Sequence, residues 1–253
     1  MHEIGKKNNQ EISREDINLI LNLFNLKKFV DAKKIINQKI IKHPNSSILF
    51  NILGAIYAEE NEIDKAIDYY NKAIKINPDY AQAYNNLGIA FHKQNKTNES
   101  IKFYEKAIKL KNNFAEALNN LGNANRDINN FDEAIKNFDR AIQIKSNYAE
   151  AYYNKAAAHE ILGNKDDALI NYKKAIEIKP DYAEAYNDIG IIFSDEAKFD
   201  EALFNYNKSI KLKPNYEKAY NNLGNLLNNL GKYNEATAAY NKAIKIKPDY
   251  AKA

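Results

Sequence analysis

The stretch Pro78–Gly88, PDYAQAYNNLG, recurs along the chain at a fixed interval of 34 residues. The copies are SNYAEAYYNKA (146–156), PDYAEAYNDIG (180–190), PNYEKAYNNLG (214–224), the looser NNFAEALNNLG (112–122), and an unfinished PDYAKA (248–253). A period of this length is typical of a linear stack of small supersecondary units, each of which contacts only its neighbours. The repeat therefore overrides the expectation of one or two globular domains that the length of 253 residues would otherwise give.

The bulk composition excludes several classes of protein and several kinds of functional site. The 253 residues are 45% hydrophobic and 28% charged, which is ordinary for a folded soluble chain. The chain has no cysteine, which excludes disulfides and thiolate metal sites. A net charge of +4 is small for this length, so we expect no nucleic-acid partner. The N-terminal stretch MHEIGKKNNQEISRED lacks the apolar core of a signal peptide or membrane anchor, and we expect a cytoplasmic protein without membrane contact.

The 34-residue period divides the chain into seven repeats over residues 13–250. The first, 13–46, is divergent, and the six closer copies are 47–80, 81–114, 115–148, 149–182, 183–216 and 217–250. Residues 1–12 are polar and are predicted to be disordered, and residues 251–253 start an eighth repeat. We number the positions of each repeat from its first residue.

Each repeat has the pattern of two helices. In the copy 81–114, Tyr84, Leu87 and Gly88 occupy positions 4, 7 and 8, which helical spacing places on or beside one face. The second helix has a large ring at position 24, here Tyr104, between small residues at positions 20 and 27. In the six closer copies, position 15, between the helices, is Asn or Gly except at Ala197, which predicts a left-handed backbone there.

The junctions between repeats carry stop and start signals. Proline at position 32, as at Pro78, cannot continue the second helix. An Asp or Asn at position 33 is followed three residues later by Gln or Glu, and this spacing predicts capping boxes at the next first helix. The predicted pairs are Asp79–Gln82, Asn113–Glu116, Asn147–Glu150 and Asp181–Glu184.

The combination of these positions resembles the tetratricopeptide repeat (TPR). It covers residues 47–250, with 13–46 as a weaker member. The resemblance implies an all-α fold, an α-solenoid of stacked antiparallel helix pairs that forms a right-handed superhelix. It further implies that the first helices line a concave groove, that this groove binds peptide or protein segments, and that the array has no chemistry of its own.

A polar stripe remains on the first helix once the packing positions are assigned. Positions 5 and 6 are rich in asparagine, position 9 adds two more, and Asn85 and Asn86 are the residues left over in the opening stretch. A similar ladder occurs in the TPR arrays of O-linked N-acetylglucosamine transferases, which implies contacts to the backbone of an extended peptide. The candidate peptide-binding residues are Asn85, Asn86, Asn119, Asn120, Asn123, Asn154, Asn187, Asp188, Asn221, Asn222 and Asn225. The alternative is compositional, because this chain is rich in asparagine almost everywhere.

Other kinds of site have weaker support. A clamp for acidic C-termini needs Lys or Arg on the groove face, and positions 5 and 6 have none in the six copies. The recurring lysines at positions 29 and 31 fit solvated charges at helix C-termini. The four histidines show no metal-ligand spacing, and His159 is expected to be packed. We therefore predict no catalytic residue, cofactor or metal.

Two functional hypotheses follow. The first is a non-enzymatic scaffold that binds an extended protein segment in the concave groove, with a substrate-presenting arm of a larger protein as one version. The second is a structural or self-assembling adaptor array that uses its ends and its convex face. The uncapped last repeat adds the expectation that the chain is a fragment or associates end to end.

Overall fold

The structure is a computed structural model that describes residues 12–248. These residues form fourteen α-helices in seven pairs. The helices are α1 (Arg14–Asn25), α2 (Phe29–Lys42), α3 (Ser47–Glu59), α4 (Ile63–Ile76), α5 (Ala81–Lys93), α6 (Thr97–Leu110), α7 (Ala115–Asp127), α8 (Phe131–Ile144), α9 (Ala149–Ile161), α10 (Lys165–Ile178), α11 (Ala183–Asp195), α12 (Phe199–Leu212), α13 (Glu217–Asn229) and α14 (Tyr233–Ile246). The predicted all-α, α-solenoid fold class is confirmed. Apart from Ile12, the segment 1–12 that is predicted to be disordered lies outside the described residues, and so does the eighth-repeat start at 251–253.

The helices divide into two compact units after Ile128. The first unit contains α1 to α7 and the second contains α8 to α14, so the division falls in the turn inside the repeat 115–148. Within each unit every helix packs against the next one in the chain. First helices of successive repeats also contact each other, as α3 does α5, α5 does α7, and α11 does α13. None of the helices between residues 12 and 248 combines the length and apolar content needed to cross a bilayer.

The two helices of a pair approach closely because a ring at position 24 packs against the glycine at position 8. A Cβ atom placed on Gly88 would lie 2.6 Å from Cε1 of Tyr104, well inside van der Waals contact. Tyr104 and Leu87 are each only 1% exposed, so positions 7 and 24 form the interior of the pair. The dense packing of this interior makes these positions intolerant of changes in volume.

The turn between the two helices of a repeat has the left-handed backbone that position 15 predicts. The φ angle is 60° at Asn95 and 79° at Gly163. Ala197 also adopts this conformation, with φ of 57°, although an alanine in it costs about 1–2 kcal/mol. The surrounding helix pair therefore imposes the turn even where the residue opposes it.

The predicted capping boxes are wrong. The residue that caps α5 is Tyr80, one position later than Asp79, and its side chain makes no capping hydrogen bond. The same is true of Phe114, Tyr148 and Tyr182 before α7, α9 and α11. At the junctions after Phe114, Tyr148, Tyr182 and Tyr216, the ring at position 34 lies beside the lysine at position 31 of the same repeat. These cation–π contacts measure 4.6–4.8 Å and join Lys111 to Phe114, Lys145 to Tyr148, Lys179 to Tyr182 and Lys213 to Tyr216.

The position-31 lysines are therefore more than solvated charges near a helix end. A lysine over an aromatic ring at an exposed site contributes about 0.5–1 kcal/mol. The four contacts recur at the same two repeat positions, 31 and 34, next to four of the six junctions between repeats.

Candidate functional site

The predicted stripe on the first helices separates into a buried row and a half-exposed row. At position 5, Asn85, Asn119 and Asn187 are 3%, 5% and 2% exposed, so little of their surface is available to a ligand. Asn221, in the last complete repeat, is half-buried. The candidate binding residues at position 6 are all half-buried and keep part of their surface on the first-helix face. They are Asn86, Asn120, Asn154, Asp188 and Asn222.

The two rows are joined by hydrogen bonds from one repeat to the next, which we call the amide chain. Asn86 Nδ2 donates to Asn51 Oδ1 of the preceding repeat at 3.0 Å. The same bond joins Asn120 to Asn85 and Asn222 to Asn187, each at 3.0 Å. The expectation that Asn85 and Asn86 are left over after packing is therefore wrong, because each bonds a neighbouring repeat.

The amide chain fixes the position-6 side chains and leaves them able to bind more. A side-chain amide nitrogen carries two hydrogens, and the bond to position 5 uses one of them. The oxygen of Asn86 also accepts from Gln82 Nε2 at 3.0 Å, which holds the amide in one orientation. Asn86 and Asn120 in the first unit, and Asn222 in the second, are thus oriented amides on first helices.

The two predicted residues at position 9 differ in environment. Asn225 is exposed, and its Oδ1 accepts from the Tyr240 hydroxyl at 2.8 Å. Asn123 is half-buried, and its Oδ1 is buried without a hydrogen-bond partner among residues 12–248. Position 9 therefore does not extend the amide chain.

In one link of the amide chain, in the second unit, the position-5 residue is the hydrogen-bond donor and the position-6 residue is the acceptor. The Tyr153 hydroxyl donates to Asp188 Oδ2 at 2.7 Å, and Asn187 Nδ2 donates to Asp188 Oδ1 at 2.9 Å. Burial raises the pKa of the Asp188 carboxyl above its usual range, and the two hydrogen bonds offset only part of that effect. Sequence could have indicated this pair, because Tyr153 and Asp188 are exceptions at positions 5 and 6 in successive repeats.

Replacing Asp188 by asparagine is expected to stabilise the chain at pH 7 by about 1 kcal/mol, the usual size of relieving a poorly solvated polar group. An asparagine Nδ2 can donate to the Tyr153 oxygen, as Asn86 does to Asn51. Because the folded pKa of Asp188 is raised, its contribution is most favourable below its unfolded pKa near 3.8 and is lost as the pH rises through the folded pKa. Urea unfolding of both proteins from pH 3 to pH 7 should show the variant's advantage growing with pH over that window.

The matched control is Asp181→Asn, an exposed position where other repeats already carry asparagine. It is expected to leave the difference between low and neutral pH unchanged. An Asp188→Asn variant that is less stable than the parent at pH 7 would contradict the assignment of Asp188 as an unfavourably buried carboxylate.

The titratable residues offer no metal centre in the described chain. Among residues 12–248, no group of three or more His, Asp or Glu side chains is placed to hold a metal ion. His159 is half-buried in α9, and burial lowers the pKa of its imidazole. Its Nδ1 lies 4.0 Å from Asp167 Oδ2, which is too long for a hydrogen bond.

Comparison with known proteins places the same repeats in most of the chain. Family models described as TPR repeat match residues 54–95, 90–128 and 192–231, and models described as tetratricopeptide repeat match 113–181 and 217–250. No curated protein sequence matches the chain.

Several solved structures resemble the chain. The structure of MamA is 28% identical over 66% of this chain and 98% of its own, with a TM-score of 0.57. A chain of the APC/C hetero-tetramer Cut9–Hcn1 is 16% identical over 91% of this chain and 46% of its own, with a TM-score of 0.78. YrrB, described as a TPR protein with an unusual peptide-binding site, is 21% identical over 73% of this chain and 95% of its own, with a TM-score of 0.57.

Proposed function

The chain belongs to the tetratricopeptide repeat family, a class of protein-interaction scaffolds, and from that premise we propose that it holds an extended segment of a partner protein on its first-helix face. The observation that carries the proposal is the amide chain. It presents three oriented amides, Asn86, Asn120 and Asn222, each held by a 3.0 Å bond to the repeat before. The chain acts as a binding protein and has no catalytic step of its own.

The spacing of the position-6 row suits an extended backbone. Packed helices lie about 8–10 Å apart, and an extended chain advances about 3.3 Å per residue. One position-6 side chain therefore meets about every third residue of a bound segment. Asparagine can both donate to and accept from a peptide backbone, so this mode reads the backbone and leaves selectivity to neighbouring pockets.

A pair of charge-matched variants tests the face that binds. Ile89→Arg places a cation on the first-helix face of α5, and Asn71→Arg places the same charge on the exposed surface of the second helix α4. Binding to an array of degenerate extended peptides should fall at least about tenfold for Ile89→Arg, because the arginine fills the path of the segment and a tenfold loss is about 1.4 kcal/mol. Asn71→Arg should bind like the parent. Equal binding by all three proteins would refute the proposal.

A specific observation favours an adaptor that uses its outer face as a second candidate. Ile170 on α10 and Phe204 on α12 occupy the same repeat position on the outer side of the second helices, and they are 64% and 66% exposed. Large apolar side chains this exposed often mark protein contacts. If Phe204→Glu abolishes partner binding while Ile89→Arg leaves it intact, the adaptor function replaces the first-helix proposal.

A further inference from the structure

The hydroxyl of Tyr70 in the first unit has no hydrogen-bond partner among the described residues, although the residue as a whole is largely buried. Tyr70 is 3% exposed, and its hydroxyl makes no hydrogen bond to any residue between 12 and 248. Burial raises the pKa of this phenol, so the hydroxyl stays neutral and keeps its proton. Its oxygen is not among the buried polar atoms that lack a partner, so water can reach it. An occupant that displaces this water without bonding the hydroxyl would cost about 1–3 kcal/mol.

Other tyrosines at position 24 show what Tyr70 lacks. In three later repeats the hydroxyl bonds a residue on the first helix of the same repeat, at position 12 or 9. The bonds join Tyr172 to Glu160 at 2.6 Å, Tyr206 to Ser194, and Tyr240 to Asn225 at 2.8 Å. In the repeat of Tyr70 these two positions are Ala58 and Ala55, which offer no side-chain acceptor.

The two alanines also leave space. A cavity of 160 Å³ lies between α3 and α5, and we call it the α3–α5 pocket. Ala55, Ala58 and Ile89 form apolar walls, Tyr70 lines it, and Asn86 of the amide chain contributes a polar edge. The pocket therefore combines an unsatisfied hydroxyl with an oriented backbone-binding amide.

The size and polarity of the pocket define its occupant. Small-molecule sites span about 300–1,000 Å³, so 160 Å³ suits a single amino-acid side chain. A purely apolar tip would displace water and leave the Tyr70 hydroxyl unpaired. A charged tip would lose hydration in an apolar pocket, and Glu59 and Lys93, which also line it, have opposite signs and favour neither charge. An uncharged carboxamide on an apolar stem meets all three conditions.

We propose that the α3–α5 pocket takes the glutamine side chain of a partner segment, with the Tyr70 hydroxyl hydrogen-bonded to the carboxamide. The inference rests on the proposed function, because the segment lies on the first-helix face and passes Asn86. It adds selectivity to a surface that otherwise reads only backbone. The first unit thereby selects segments that carry glutamine at one register.

Fluorescent peptide pools with one fixed central residue test the pocket. The central residue is glutamine, norleucine, glutamate or lysine, and glutamine is excluded from the degenerate positions. The glutamine pool should bind the full chain about 2- to 10-fold more tightly than the norleucine pool, the range that one net hydrogen bond supplies. Tyr70→Phe should bring the two pools to the same affinity. Phenylalanine fits this repeat position, since Phe138 occupies it fully buried.

Two further variants make the result specific. Tyr104→Phe makes the same change at the same repeat position in the first unit, where Tyr104 is 1% exposed and does not line the pocket, and it should keep the glutamine preference. Ala58→Glu supplies Tyr70 with the acceptor that Glu160 gives Tyr172, and it should remove the preference. Melting curves establish that each variant is folded.

The outcomes distinguish failure of the pocket proposal from failure of the proposed function. Peptide binding that is blocked by Ile89→Arg but shows no glutamine preference, or a preference that survives Tyr70→Phe, overturns the pocket and leaves the proposed function standing. Tighter binding of the norleucine pool also overturns it. Failure of every pool to bind the parent chain overturns both.

Discussion

Replacing Leu87 by alanine is expected to lower the free energy of unfolding by about 2–5 kcal/mol, the usual cost of truncating a buried leucine. Leu87 is 1% exposed and packs in a core cluster with Ala66, Tyr70 and Ala90. Each repeat is stabilised only by its neighbours, so a cavity here has no distant core to compensate for it. Urea unfolding followed by circular dichroism measures the loss.

Ile89 provides the control on the same helix. It lies two residues further along α5 and is half-buried on the first-helix face. Because Ile89→Ala removes contacts at a partly solvated site, we expect a loss of about 1 kcal/mol or less. A loss well under about 1 kcal/mol for Leu87→Ala itself would mean that position 7 is not part of the core.

The second large effect concerns the amide chain. Asn85→Ala is expected to cost about 1–3 kcal/mol, because it removes the oxygen that accepts from Asn120 and leaves that amide without its partner. Asn120→Ala leaves the buried Asn85 oxygen unpaired, with a similar cost. In the double variant both polar partners are gone, so the two losses should not add.

A double-mutant cycle isolates the bond between these two residues. We expect a coupling energy of about 0.5–1.5 kcal/mol from the stabilities of the parent, the two single variants and the double variant. The control is Asn98→Ala at an exposed site on α6, where a change within about 0.5 kcal/mol is expected. Fully additive losses would show that the amides do not depend on each other and would remove the amide chain as a structural element.

The sequence predicts packing more reliably here than polar contacts. Position 7 reads as core because its leucine recurs at helical spacing, and Leu87 is indeed buried. Position 5 reads as a groove residue because asparagine is polar, yet Asn85 is 3% exposed. The difference arises because a polar residue can be buried wherever a partner is present, and the partner 35 residues away is fixed only by the stacking of repeats.

The capping boxes at the junctions between repeats are a second case in which a polar sequence pattern gives a wrong prediction. Asp79 and Gln82 have the spacing of a capping box, but Tyr80 occupies the cap position. At later junctions the aromatic of position 34 occupies the same cap position and lies beside a lysine, as Tyr182 does beside Lys179. The spacing of a capping box therefore does not by itself decide where the first helix begins.

The α3–α5 pocket depends on an absence that a repeat alignment alone does not reveal. Ala55 and Ala58 look like ordinary helix formers in the sequence. Their consequence is visible only in the structure, where Tyr70 and Asn86 line the space that the two alanines leave. Comparison of Ala58 with Glu160 and Ser194, its counterparts in later repeats, identifies the missing hydrogen-bond partner.

The proposal that a partner segment lies on the first-helix face is tested most directly by photocrosslinking. A photoreactive residue replaces either Lys93, on the first helix α5 at the pocket, or Lys102, on the second helix α6; both lysines are exposed. On irradiation with the bound glutamine pool, we predict crosslinks from position 93 and none from position 102. Crosslinks from position 102 without any from position 93 would contradict the account, because the partner would then lie on the second helices.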